Sequence, residues 1–158
     1  MNTDKNHVAT ENFLKAVLYI LRETFEGSPA GQGSAYLDRG IGFLGTLETL
    51  TAEQASREVN GTTAAAQTEH AKFYLDRLCE FMQGRTEPVK WEQSWLIETV
   101  SEEEWKHLRE GMQKSYEEVL RCFAAIETWD EDSIGDAIAI VAHTAYHLGA
   151  VRQIAKAV

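Results

Sequence analysis

A chain of 158 residues predicts one domain, long enough to bury a core without disulfide or metal staples. Hydrophobic residues make up 44% and charged residues 25%, a balance that excludes an intrinsically disordered chain. Acidic residues outnumber basic ones 25 to 15, for a formal net charge of −10. Such a surface repels phosphate backbones and anionic lipid, which excludes nucleic acid and membrane headgroups as main partners.

The first helix is predicted from about residue 8 to residue 26. Phe13, Val17, Ile20 and Thr24 form one stripe, with Leu14, Leu18, Leu21 and Phe25 beside it. The first 13 residues lack the basic and apolar regions of a signal peptide. The longest apolar runs fall far short of the roughly 20 residues that span a bilayer, so a cytoplasmic location is expected. Residues 27–34 read as a loop rich in Gly, Ser and Pro. In residues 35–60, Leu37, Ile41, Leu44 and Leu47 have helical spacing, but Gly40, Gly42 and Gly45 weaken it, which predicts a short or irregular helix. Thr51-x-x-Gln54 fits a capping box, and Asn60-Gly61 a turn.

The second long helix is predicted from about 62 to 83, with Gly84 as its stop. A linker of about 16 residues follows, holding Pro88, Trp91 and Trp95. Aromatic linkers of this length serve either as the rim of a functional site or as cover for a core edge. Ser101-x-x-Glu104 opens the third helix, whose seam is Trp105, Leu108, Met112, Tyr116, Val119, Phe123 and Ile126. The fourth is predicted to start near Asp132–Ser133, with Ser133-x-x-Asp136 as its cap. Cys79 and Cys122 lie inside helical patterns and read as reduced, buried thiols. Four long amphipathic helices without strand alternation predict an all-α four-helix bundle, with a short irregular helical insert between the first and second long helices.

Chemistry is concentrated in the fourth helix, in Val141-Ala-His143-Thr-Ala-Tyr-His147-Leu-Gly149. Residues four apart share a helix face, so His143 and His147 can present two imidazoles to one point. They lie in an apolar stripe with Ile140, Val151 and Ile154 and so face the interior. Two imidazoles among aliphatics need partners for a donor and an acceptor each, and protonating both would set like charges in a low dielectric. A divalent cation resolves both problems. His70, mid-way along the second helix, is the candidate third ligand; its spacing permits a similar depth if the two helices are antiparallel and one within about a turn if they are parallel. Gln67 and Tyr74 share its face, whereas Glu69 is rotated about 100° away, toward solvent or another helix. The pair lacks the Glu of HExxH, which removes the zinc-protease reading. His7 and His107 are assigned to no site. Among the carboxylates only Asp136, one heptad before His143, is a candidate base, and no residue is assigned as catalytic.

A lone mid-helix His followed by AHTAYHLGAVRQI in the last helix resembles the DinB/YfiT-like superfamily. The resemblance covers most of the chain, with HxxxYHLGxxRQ as its most specific part. It implies a bundle packed so that His70, His143 and His147 hold one divalent metal, zinc or nickel, and it implies a homodimer. It further implies a metal-dependent enzyme acting on small molecules, such as a transferase or hydrolase that uses a low-molecular-weight thiol of the bacillithiol or mycothiol kind. Two alternatives stay open: a non-catalytic bundle that binds a metal or small ligand, and a bundle whose histidines are structural.

Overall fold

The computed structural model describes residues 9–31, 33–38 and 40–158. It is helical, with no strand among the described residues. In chain order the helices are α1 (Thr10–Glu26), α2 (Phe43–Glu48), α3 (Ala52–Ala55), α4 (Ala64–Met82), α5 (Glu102–Ala125) and α6 (Glu131–Ala157), with a 3-10 turn at Trp91–Ser94.

Caps set the helix starts. Thr51 and Ser101 each form the reciprocal capping box expected of them. The Thr63 hydroxyl accepts from Ala66 N at 3.0 Å, so α4 begins at Ala64. The cap of α6 differs from the expected Ser133–Asp136 pair. Asp130 is the cap residue and Ser133 is its partner three positions in, with N–H to side-chain distances of 2.9 Å both ways. Two overlapping D/S-x-x-S/D patterns compete there, and the upstream one wins because its carboxylate reaches the first free N–H groups.

Side-chain pairings fix the helix directions. Gln67 meets His147 and Tyr74 meets His143, so α4 and α6 run antiparallel. Asp76 accepts from Ser115 at 2.5 Å and Gln83 donates to Glu118 at 3.0 Å, so α4 and α5 run parallel. Phe25 stacks on Tyr116 at 4.3 Å, while Phe13 and Phe123 both pack edge-on against Trp129, so α1 runs antiparallel to α5. Leu21, Phe25, Leu75, Trp105, Met112, Tyr116, Phe123, Ile140 and Leu148 are buried in one continuous core. Because α4 and α5 are parallel, residues 83–101 must travel back along the helices as a strap.

The insert departs from a regular helix over its first part. Residues 33–38 and 40–42 are not helical: Leu37 is buried, but Ile41 is 51% exposed, so the two do not belong to one stripe. The reason is non-local. Glu23, on α1, is 2% exposed, and its carboxylate accepts from Ser34 Oγ (2.5 Å) and from the N–H groups of Ala35 (2.7 Å), Tyr36 (3.0 Å) and Leu37 (2.9 Å). Those amides cannot also serve a helix. Burial alone would raise the Glu23 pKa, but these four hydrogen bonds outweigh it and bring it to about 2. At Gly27, φ is 89° and a Cβ would sit 1.9 Å from Gly40 O, so the loop crosses the end of α1 only where no side chain intervenes.

The α6 helix is long and apolar. At 27 residues it is, by length and composition alone, apolar enough to cross a membrane, and a third of its most apolar stretch is buried in the protein. The apolar character comes from small and aliphatic residues interrupted by the two histidines, which is why no single run in the chain stands out.

Candidate metal centre

His70, His143 and His147 come together at the α4–α6 contact, with one nitrogen from each ring within 4.8 Å of the others. The antiparallel packing sets Gln67 opposite His147 and Tyr74 opposite His143, with His70 between them. His70 Nε2 lies 3.1 Å from His143 Nε2, and His147 Nε2 lies 3.2 Å from the same atom. Two ligands on a tetrahedral ion with bonds of about 2.05 Å stand about 3.3 Å apart, so these separations match a shared ion.

The partners of the outer ring nitrogens decide which tautomers are present. The Ser94 hydroxyl donates to the Trp91 carbonyl at 2.7 Å. Its single proton is thereby used, so His70 Nδ1–H donates to Ser94 Oγ at 2.8 Å. His147 Nδ1–H donates to the Gln67 carbonyl oxygen at 2.6 Å, and the Gln67 amide is turned by its own bond to Thr62 Oγ1 at 3.0 Å. Both rings therefore present an Nε2 lone pair to His143. His143 can place one proton between them, which satisfies one lone pair and leaves the other facing nitrogen. Its buried Nδ1 has no partner among the described residues. A cation accepts all three lone pairs at once, and fixed Nδ1–H donors on two rings are the usual support for histidine ligands.

Electrostatics favour the neutral rings. Burial, then the neighbouring His70, lowers the His143 pKa to about 4. Burial, then His143 and His70, lowers that of His147 to about 3. Burial also lowers His70. At neutral pH the rings are uncharged, so a cation has no proton to displace.

Aromatic rings enclose the cluster. Trp95 stacks on His70 at 4.0 Å and Tyr74 on His143 at 3.6 Å, while Tyr146 meets His147 edge-on at 5.1 Å. Trp91 packs on Tyr74 at 5.5 Å. Trp91, Trp95 and Tyr146 keep large exposed surfaces, so the linker tryptophans are a rim of this cluster rather than cover for a core edge. Glu69 is not simply solvated: its carboxylate accepts from Leu96 N (3.0 Å) and Ile97 N (2.7 Å) and pins the strap above α4. Thr63 and Ser56 hold it further along, at Glu98 and Val100. A cavity of about 410 Å³ has Gln67 and Trp95 in its wall, though none of the three histidines lines it.

Gln67 shares a helix face with His70 but serves His147, because the facing helix supplies the closer nitrogen. Ser94 is the partner of the cluster that helical periodicity misses, since it lies in an irregular strap 24 residues from His70. Asp136 touches none of the three rings by hydrogen bond. Its charge helps raise the Tyr74 phenol, after burial, and its own pKa is raised by burial, then Asp132 and Asp130. His107 is exposed, and His7 lies outside the described residues. Cys79 and Cys122 are free and buried, and burial pushes both thiols up, so neither serves as a nucleophile at neutral pH.

The fold and the site together define an all-helical protein in which the buried His147 and the half-buried His70 and His143 form a cluster able to hold a metal ion. No protein-family model, no curated protein and no solved structure matches this chain.

Proposed function

We propose that this chain is a four-helix bundle of the DinB/YfiT-like kind and a metal-dependent enzyme acting on small molecules. Its ligands would be His70, His143 and His147, with zinc or nickel as the ion. The observation that carries the reading is the convergence of three Nε2 atoms, two of them in fixed tautomers, on one point. A divalent ion held there would lower the pKa of a thiol or water that it binds, so a low-molecular-weight thiol could act as a nucleophile at neutral pH. The chain's own cysteines are protonated and buried, so the thiol would come from solution.

The protein's part is binding and orientation. Ser94 and Gln67 hold two rings in place, Trp95 and Tyr74 sandwich the cluster, and the cavity at Gln67 and Trp95 accommodates a small substrate. A cytoplasmic homodimer belongs to the same reading, and the exposed Ile138 and Tyr146 on α6 are apolar surface available to it.

Elemental analysis of protein purified without a histidine tag tests the proposal. Roughly one zinc or nickel per chain, lost in His143→Ala, supports it. Protein that neither carries nor takes up a divalent metal overturns it. A screen of thiols against small electrophiles then separates enzyme from binding protein.

A further inference from the structure

Of the stretch Tyr146-His-Leu-Gly149-x-x-Arg152-Gln153, only Tyr146 and His147 meet the metal cluster. Residues 149, 152 and 156 lie roughly half a turn round α6 from His143, at 100° per residue. On that side the helix faces the loop that Glu23 holds, and between them runs a groove of about 550 Å³. Tyr36 and Leu37 form one wall, and Leu148, Gly149, Arg152 and Lys156 the other.

The groove's charge is opposite to that of the chain. Among the described residues it is lined by two cations and a single carboxylate, Asp38, in a protein with ten more acidic than basic residues. Arg152 and Lys156 are four apart and share a face. Among the described residues neither has an ion-pair partner, although six ion pairs occupy other basic residues. The nearby Glu23 is no counter-ion, because four donors already occupy its oxygens. The shape is prepared as well. The Tyr36 hydroxyl donates to Thr24 Oγ1 at 2.6 Å, which fixes the ring as a wall. A Cβ built on Gly149 meets no atom within 4 Å, so glycine leaves the floor open without any backbone need for it.

We propose that this groove is a second binding site, for a small organic anion. A carboxylate or phosphate head would bridge Arg152 and Lys156, and an apolar body would lie against Tyr36 and Leu148. An arginine fork and an ammonium group suit either head, and the aromatic and leucine walls exclude a fully hydrated inorganic ion as the best ligand.

Amide-shift titrations with benzoate, phenyl phosphate, benzamide and inorganic phosphate test it. Benzoate or phenyl phosphate shifts Tyr36, Gly149 and Arg152 in a saturable way, and whichever binds more tightly identifies the head. Arg152→Gln weakens that binding about tenfold, and Gly149→Leu, which fills the groove while keeping both charges, removes it. Protein treated with EDTA, and His143→Ala, bind as the wild type does, because the metal centre is elsewhere. Benzamide binding as tightly as benzoate overturns the proposal. So does anion binding that survives both groove variants, anion binding lost with the metal centre, or no saturable shift by either aromatic anion.

Discussion

Glu23 and His147 are both almost fully buried polar side chains, at 2% and 3% exposure, yet their surroundings differ in kind. The Glu23 carboxylate meets four donors and no other acceptor. The three imidazoles have at most one proton to share among their three facing nitrogens, and one ring keeps an unmatched nitrogen. A buried polar cluster that is complete within the chain acts as a structural pin. One that is short of positive charge at a single point is a place for something the chain does not supply.

Four experiments probe that contrast. Among single substitutions, the largest effect is expected for Glu23→Ala, which strands three backbone N–H groups and a hydroxyl. The loss of stability is about 3–5 kcal/mol, read as a fall in denaturation midpoint, with metal uptake per folded chain unchanged. The next is His143→Ala. In wild type, zinc at about 100 times its Kd adds about 2.7 kcal/mol, and the variant's Tm no longer responds to zinc. Third, Ser94→Ala and Gln67→Leu each release one ring's Nδ1–H and weaken metal affinity by about 10–100-fold in a chelator competition, with little change in Tm for the metal-free protein.

The fourth experiment, whose effect summed over the rings is no smaller than the first, separates the two clusters by pH. The histidine pKa values are lowered by folding, so the unfolded chain takes up protons first as pH falls. Metal-free protein therefore loses stability between about pH 6.5 and pH 4 to 3, by at most about 1.4 kcal/mol per pH unit for each ring. Glu23 is lowered too, but from 4.5 to about 2, so its contribution is lost only below about pH 4.5. Denaturant midpoints across pH should show the upper window vanish in a His143→Ala/His147→Ala double variant and the lower one vanish in Glu23→Ala.

The same contrast explains which parts of the molecule are legible in the amino-acid sequence. The long helices are legible because their apolar spacing is local, as at Trp105, Leu108, Met112 and Tyr116. So are His143 and His147, one turn apart on one helix, and His70 by its mid-helix setting. The insert is not legible over residues 34–37, because its backbone answers to a carboxylate 11 to 14 residues away whose identity carries no periodic signal. Ser94 is hidden for the same reason: the strap is shaped by Glu69, Ser56 and Thr63, not by its own spacing. The residues that hold a ligand on a helix leave a pattern; the residues that hold the ligand's far side need not.

One consequence of the strap concerns light. Of the four tryptophans, Trp105 is sealed in the core and Trp129 packs between Phe13 and Phe123. Trp95 alone lies face to face with a ring of the cluster, 4.0 Å above His70. Any change in the charge carried by that imidazole alters the excited state of the indole above it. The chain thus carries its own optical indicator of any ion that its three histidines take up, and a Trp95→Phe variant supplies the blank.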